Sequence, residues 1–492
     1  MKQPNIVIIL ADDMGYGDVT CYNPGSRIPT PNMDSLAEGG IRYTDMHSPS
    51  AVCTPTRYGL LTGRYAWRSN LKSGVLYGYE PALIEHGLLT LPEMLRARGY
   101  HTACVGKWHL GMQYTAKKGA QVDFSAPLPW GSLELNIEQK IDLAAPLAEG
   151  PTTRGFDYFY GTSGCSTAQP PYAYIENHQF VEVPSEFCRA VDFTGRPGMT
   201  APGWDHKEVD TAFTKKAVEY IETQSRSERP FFLYLAASAP HEPCLEATVP
   251  ESARGKSGAG SRGDLVWLFD WMVGEVMAAL ERTGERHHTL VFVTSDNGAL
   301  PGDRVRNTGG LDAYDMYSHK SCGDWRGYKA HIWEGGHREP FIASWPGVVP
   351  AGEVRDGLFC MTDLMATCAS ITGSDLPYDA AVDSLDIADS LTGSRDGKTL
   401  SGHQRREAVV HHSHFGVFSV RVGEWKLIAD SKSSGGWPPP RGEAPVFGSS
   451  GQLYNIFEDP HEEHDLYDDK PDIINELSVL LSECQNSGRS VR

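Results

Sequence analysis

Asn5-Ile6-Val7-Ile8-Ile9-Leu10-Ala11-Asp12-Asp13 is the stretch on which the fold turns. Residues 5–10 are nearly all apolar and mostly β-branched, the pattern of a strand buried on both faces. The run stops abruptly in two aspartates. Similar runs follow at Thr102-Ala103-Cys104-Val105, Phe231-Phe232-Leu233-Tyr234-Leu235 and Leu290-Val291-Phe292-Val293. Helical patterns lie between them. Leu91 to Arg96 precedes Gly99, a candidate C-terminal cap. Val209 to Gln224 is amphipathic, as is Leu265 to Arg282, which Gly284 stops. Strands alternating with helices predict an α/β fold with a doubly wound, mostly parallel central sheet. Ligands of such sheets bind beyond the carboxyl ends of the strands.

Composition narrows the class. The chain has 492 residues, 40% hydrophobic and 10% aromatic, enough for a substantial core. With 44 Lys+Arg against 63 Asp+Glu, its formal charge is −19. That balance argues against a nucleic-acid binder, which carries a basic face. No stretch approaches the roughly 20 apolar residues of a membrane helix. The run Ile6 to Ala11 is too short for a signal-peptide core, so the chain as written reads as cytoplasmic; a trimmed leader would make it periplasmic or secreted. The ten cysteines form no CxxC pair and read as mostly buried, reduced thiols.

The texture changes near residue 400. Val417 to Val422 and Trp425 to Ile428 suggest a hairpin turning at Gly423-Glu424, and Ile473 to Cys484 a final helix. We therefore expect a large domain over 1–398 and a small C-terminal α+β domain over 399–492. Residues 113–151 and 431–452 read as irregular, Gly- and Pro-punctuated loops.

The chemistry is expected after the strands. Asp12-Asp13 follow the first, and Ser295-Asp296-Asn297-Gly298 end the strand at Leu290. Carboxylate and amide oxygens are hard donors, suited to Ca²⁺ or Mg²⁺. In Cys53-Thr54-Pro55-Thr56-Arg57, Pro55 suits a first helical turn. Cys53 would then sit at a helix N-terminus, which lowers a thiol's pKa and attracts anions. Arg57 lies one turn further on the same side. In His411-His412-Ser413-His414, strand alternation turns His411 and His412 to opposite faces, so surface or pocket-rim packing is expected rather than a metal tract. His461 and His464, set among acids, are expected to be solvated.

Cys53-Thr54-Pro55-Thr56-Arg57 with Leu61-Thr62-Gly63-Arg64 resembles the modification motif of the type I sulfatases, in which the cysteine becomes formylglycine. The resemblance extends over most of the chain. Asp12-Asp13 and Asp296-Asn297 match the family's metal pairs. Gly106-Lys107-Trp108-His109-Leu110-Gly111, Pro240-His241, and Gly327-Tyr328-Lys329 with Glu334-Gly335-Gly336-His337-Arg338-Glu339-Pro340 match further family segments, with Glu339 where valine is commoner. Leu453-Tyr454-Asn455 is similar to the family's C-terminal domain.

The resemblance implies an alkaline-phosphatase-like large domain and hydrolysis of an O-sulfate ester by a formylglycine diol. It implies one Ca²⁺, or Mg²⁺, held by Asp12, Asp13, Asp296, Asn297 and residue 53. Cys53 would supply the nucleophile and Arg57 would favour its deprotonated form. Lys107 and Lys329 would hold sulfate oxygens, His241 would protonate the leaving alcohol, and His109 would serve as base. Arg338 and Tyr172, the latter within Pro170-Pro171-Tyr172-Ala173-Tyr174-Ile175-Glu176-Asn177, are expected to contact substrate. Neither Ser163 nor Ser166 clearly matches the family's serine in that region. The implied substrate is a sulfated small molecule or glycan, the implied partner a formylglycine-generating maturation enzyme. Two other readings compete: a phosphonate or phosphate diester hydrolase of the same superfamily, and an unmodified glycan-binding protein.

Overall fold

The computed structural model describes residues 3–122, 137–189, 195–301, 316–393, 406–437 and 446–491. Ten strands build the main sheet: β1 (Asn5–Ala11), β2 (Ile41–Tyr43), β3 (His101–Lys107), β4 (Tyr158–Thr162), β5 (Ile175–Glu176), β6 (Gln179–Phe180), β7 (Phe231–Ala236), β8 (Thr289–Ser295), β9 (Phe341–Ser344) and β10 (Glu353–Arg355). Across the sheet they run β10-β2-β9-β8-β1-β7-β3-β4-β5-β6. The five central strands, β8 to β4, are mutually parallel. The antiparallel pairings lie outside them, at β8–β9, β9–β2, β4–β5 and β5–β6.

The apolar run at residue 5 has the central place its sequence called for. Ile6, Ile8 and Leu10 join the core on one face, while Val7, Ile9 and Ala11 join the core on the other. Helices α1 (Pro31–Glu38), α2 (Cys53–Thr62), α3 (Leu91–Ala97), α4 (Val209–Gln224) and α5 (Gly260–Arg282) pack on this sheet. Residues of α1, α4 and α5 cover the Val7 face, and residues of α2 and α3 the Ile8 face. Two-sided burial is what makes a continuous apolar strand stable.

The helix ends follow local chemistry. Thr90 and Glu93 form a reciprocal capping box at the start of α3. Helix α4 spans the stretch its periodicity predicts. Helix α5 starts five residues before Leu265. Its first turn carries no apolar stripe; it is anchored by buried polar groups instead, with the Asp264 carboxylate accepting from Gly255 N at 2.7 Å and Ser257 N at 2.8 Å.

The C-terminal part is an antiparallel sheet, β11 (Val409–His412), β12 (Phe418–Val422), β13 (Trp425–Ile428) and β14 (Gln452–Asn455), packed under α6 (Pro471–Asn486). The β12–β13 hairpin turns at Gly423-Glu424, as expected. Leu477, Leu481 and Cys484 of α6 share a cluster with Val409, Val420, Leu427 and Leu453, and also with Tyr65, Trp67 and Cys360 of the large unit. The expected division at 398/399 lies outside the described residues, as do parts of the two irregular loops. All ten cysteines are free thiols. Among the described residues, no helix is long and apolar enough to cross a membrane.

Leu427 is buried at the centre of the small sheet. Leu427→Ala is expected to destabilise that sheet by about 2–5 kcal/mol. Thermal unfolding followed by circular dichroism checks this; an unchanged midpoint would contradict the packing described.

Candidate active site

Parallel pairing in register assembles the acidic centre. Ala11 of β1 is the partner of Ser295 of β8, so Asp12-Asp13 and Asp296-Asn297 emerge side by side. The Asp296 N–H donates to Ala11 O at 3.1 Å, and the Asp13 N–H to Asp296 Oδ1 at 3.2 Å. Asn297 Nδ2 donates to Asp13 Oδ1 at 2.8 Å. All four side chains are fully buried.

Helix α2 begins at Cys53 with Pro55 in its first turn. It ends at Gly63, whose φ of 62° places it in the left-handed region; a Cβ there would lie 2.9 Å from Ala381. Arg57, fully buried one turn below Cys53, donates to Asp296 Oδ2 through Nε at 2.9 Å and Nη2 at 2.7 Å, and to Lys107 O through Nη1 at 3.0 Å. Lys107 ends β3 and meets Asp12 Oδ2 at 2.5 Å. Lys329 meets Asp13 Oδ1 at 2.6 Å. Three buried carboxylates therefore face three buried cations.

This field sets the protonation states. Burial raises the Cys53 thiol, but its hydrogen bond with Cys165 and the charges of Lys107 and Lys329 overcome that and hold it well below the usual thiol range. Burial also opposes ionisation of Asp12, yet Lys107 keeps it at about 2. Burial and the Asp12 charge push Asp296 well up. Negative charge is thus crowded at one point, and Asp12 Oδ1 and Asn297 Oδ1 are buried there with no hydrogen-bond partner. Asp12, Cys53 and Asp296 each offer a ligand atom within 4.8 Å of the others. Converging hard oxygens with unmet partners fit a cation such as Ca²⁺.

Two histidines flank residue 53. The His109 Nε2–H donates to Leu76 O at 2.7 Å, which leaves the Nδ1 lone pair on the Cys53 side. Burial, with the Lys107 charge, lowers His109 below the usual histidine range, so the ring is neutral. The His241 Nδ1–H donates to Glu242 O at 2.7 Å; its Nε2 lies 3.4 Å from Cys165 Sγ and 3.9 Å from Asp13 Oδ2. Burial and the Lys329 charge lower this ring to about 4. A cavity of about 290 Å³ opens over the group, lined by Cys53, His109, Cys165, His241 and Lys329, with Tyr77, Arg196, Phe415 and Trp437 further out.

A family model, Sulfatase, matches residues 4–374. The chain belongs to the sulfatase family. It is thereby a sulfuric-ester hydrolase, and its relatives do not favour the phosphodiester or non-catalytic readings. It is 30% identical to an N-acetylgalactosamine-6-O-sulfatase of Bacteroides thetaiotaomicron, over 98% of this chain and 93% of that one. It is 32% identical to human arylsulfatase A, over 86% and 74% respectively. A solved structure described under the metabolism of multiple glycosaminoglycans by Bacteroides thetaiotaomicron superposes with a TM-score of 0.82 at 28% identity, covering 99% of this chain and 100% of that one.

Two expected substrate contacts of this sulfatase lie elsewhere. Tyr172 is buried behind the cavity wall, its hydroxyl donating to Arg196 O at 2.6 Å. Arg338 sits on Trp325 at 3.8 Å and is committed to Glu334 at 3.1 Å and Asp45 at 3.2 Å. Neither lines the cavity. Ser166 is turned to Ser238 Oγ at 2.5 Å, and Cys165 takes the place beside residue 53. The reading of the sequence did not single out Cys165, Gln169, Arg196 or Glu242, because isolated residues in an irregular stretch carry no periodic or motif signal.

The histidine tract also differs from expectation. His411 and His412 are buried, and only His414 reaches the cavity rim. His411 stacks on His337 at 3.8 Å. Asp45, His47, His337 and Lys426 form a chain of contacts of 2.8, 3.0 and 3.1 Å. Around it Arg338, Arg421 and Lys426 offset Asp45, Glu334 and Glu462. Opposite charges cancel, which permits burial without a cation. His461 and His464 are exposed, as expected.

Arg57→Ala would leave Asp296 buried without its partner. We expect a loss of about 3–5 kcal/mol, seen as a lower unfolding midpoint. A midpoint equal to the parent's would contradict the pairing.

Proposed function

We propose that this sulfatase removes an O-sulfate group from a carbohydrate, giving the free alcohol and inorganic sulfate, after a maturation enzyme has converted Cys53 to formylglycine. The observation that carries this reading is Cys53 at the cavity floor, at the start of α2, within one cage of three carboxylates, three cations and two neutral histidines. The hydrated formyl group supplies an attacking hydroxyl and a second hydroxyl that allows sulfate to leave by elimination. Asp12, Asp13, Asp296, Asn297 and residue 53 would hold Ca²⁺, which adds positive charge for the attacking oxygen and the sulfonyl group.

The side chains have distinct work. The cage of three acids and three bases carries no net negative charge, so a divalent cation would leave the centre positive and suited to a sulfate ester. Lys107 and Lys329 hold the sulfonyl oxygens as compact charges. Arg57 fixes Asp296 and adds charge beneath residue 53. His109, with its proton fixed on Nε2, presents Nδ1 as the base that takes a proton from residue 53. His241 presents Nε2 to the cavity; the anionic substrate offsets the Lys329 charge, lets Nε2 take up a proton and pass it to the leaving alcohol.

Tyr77, Phe415 and Trp437 at the cavity offer apolar faces on which a sugar ring can lie. The relatives named for sulfated amino sugars support that class. A small cavity of this kind suits one sugar unit better than a long chain.

Three measurements test the reading. Cys53→Ala should abolish sulfate release with the fold intact, and Cys53→Ser should give at most one turnover; sustained turnover by Cys53→Ala would refute the nucleophile. His241→Ala should slow sugar sulfates at least tenfold more than activated aryl sulfates, since a good leaving group needs little protonation. Equal losses would remove His241 from the acid role. His109→Ala should release one equivalent of alcohol in a burst and then stall; a linear time course would place the base elsewhere.

A further inference from the structure

Asp13 has a φ of 73°, a backbone conformation that residues other than glycine rarely adopt. The geometry of the site requires it. Consecutive residues of a strand point to opposite faces, so Asp12 and Asp13 could not both turn to one centre if β1 continued. The left-handed turn at Asp13 brings the second carboxylate back beside Asp296 and Asn297.

We infer that Arg262 and Asp18 are positioning residues for the cation site, holding Asp13 in this conformation through its carbonyl oxygen. Arg262 lies in the first turn of α5 and is buried. Its Nη2 donates to Asp13 O at 2.9 Å. The same guanidinium forks onto Asp18, Nη1 to Oδ1 at 2.9 Å and Nη2 to Oδ2 at 2.5 Å. Asp18 is fixed in turn: it accepts from Gly15 N at 2.7 Å and from His319 Nε2 at 2.8 Å. The turn has no room to relax, because a Cβ at Gly15 would lie 2.2 Å from Ser321 O and one at Gly17 2.0 Å from Lys320 O. A charged donor on the Asp13 carbonyl, itself locked by a carboxylate, orients a ligand without touching the ligand's own oxygens.

The inference rests on the reading of Asp12, Asp13, Asp296 and Asn297 as cation ligands, and its test separates the two. Protein stripped by a chelator is titrated with Ca²⁺ by calorimetry, and its unfolding midpoint is measured without metal. The double variant Asp18→Asn with Arg262→Met removes both charges together, leaving none buried alone. Arg262→Lys keeps the charge but cannot span Asp18 and Asp13 O together. We expect Ca²⁺ affinity to fall about 10–100-fold in the double variant and by less in Arg262→Lys. A folded variant whose Kd stays within about twofold of the parent's overturns the positioning role; should the double variant not fold, Arg262→Lys decides on the same criterion. A parent that binds no Ca²⁺ overturns the cation reading, and this inference with it.

Discussion

The site depends on one pairing, Ala11 of β1 with Ser295 of β8. Side chains in a sheet alternate with a period of two, so a slip of one residue would turn one acid pair away from the other. Such a slip would also move the apolar partners of β1 to the wrong faces. The two apolar cores therefore hold the register, and the register holds the chemistry. Burying three carboxylates at one strand edge would be prohibitive without partners. Arg57 comes from α2, Lys107 from β3 and Lys329 from the segment before β9. The charge lattice thus fastens three separate parts of the chain to the two central strands.

The same lattice explains why residue 53 is set for anionic chemistry. Its helix start presents free N–H groups, Lys107 and Lys329 add charge, and low local polarisability strengthens each term. The Cys53 thiol already reports this field by ionising more readily, despite burial. Any oxygen nucleophile at the same position meets the same field. The histidines do not add charge in the resting state, because burial keeps both rings neutral; each has one nitrogen tied to a backbone carbonyl, which fixes the other toward residue 53 or the cavity.

What was legible in the sequence divides along a physical line. The apolar runs at 5, 102, 231 and 290 became central strands, because burial on both faces leaves a local and continuous mark. Helix α4 was equally legible from its periodicity. Asp12, Asp13, Asp296, Asn297 and Cys53 stood out because they follow strands or open a helix, places where polar residues have few structural duties, whereas Lys107, His109, His241 and Lys329 were reached only through the resemblance to sulfatase segments. Contacts made across long separations left no such mark. His47, His337 and His411 supply one another's surroundings from distant parts of the chain, so a tract that reads as surface is buried. Arg338 and Tyr172 have residue types suited to a substrate, but their donors are already committed to Glu334, Asp45 and Arg196. The polar first turn of α5 was missed for a related reason: its anchor is a buried acid, not an apolar stripe.

A chain with a formal charge of −19 that gathers an anionic substrate poses an electrostatic question, and distance answers it. Surface charges in physiological salt are screened over about 8–10 Å. Inside the cavity the exposed acids of the outer surface therefore count for little, and the buried cations beneath residue 53 dominate. Since the acids at this centre face an equal number of bases, the charge an incoming anion would meet is that of the cation proposed for Asp12, Asp13, Asp296 and Asn297. Binding of the anion and binding of the cation then reinforce each other, since each lowers the cost of the other's charge in a buried place. The two would be linked through Asp13, whose backbone turn decides whether its carboxylate faces the proposed cation site or the opposite side of the sheet. Geometry at one residue thereby sets the charge on which the chemistry at Cys53 relies.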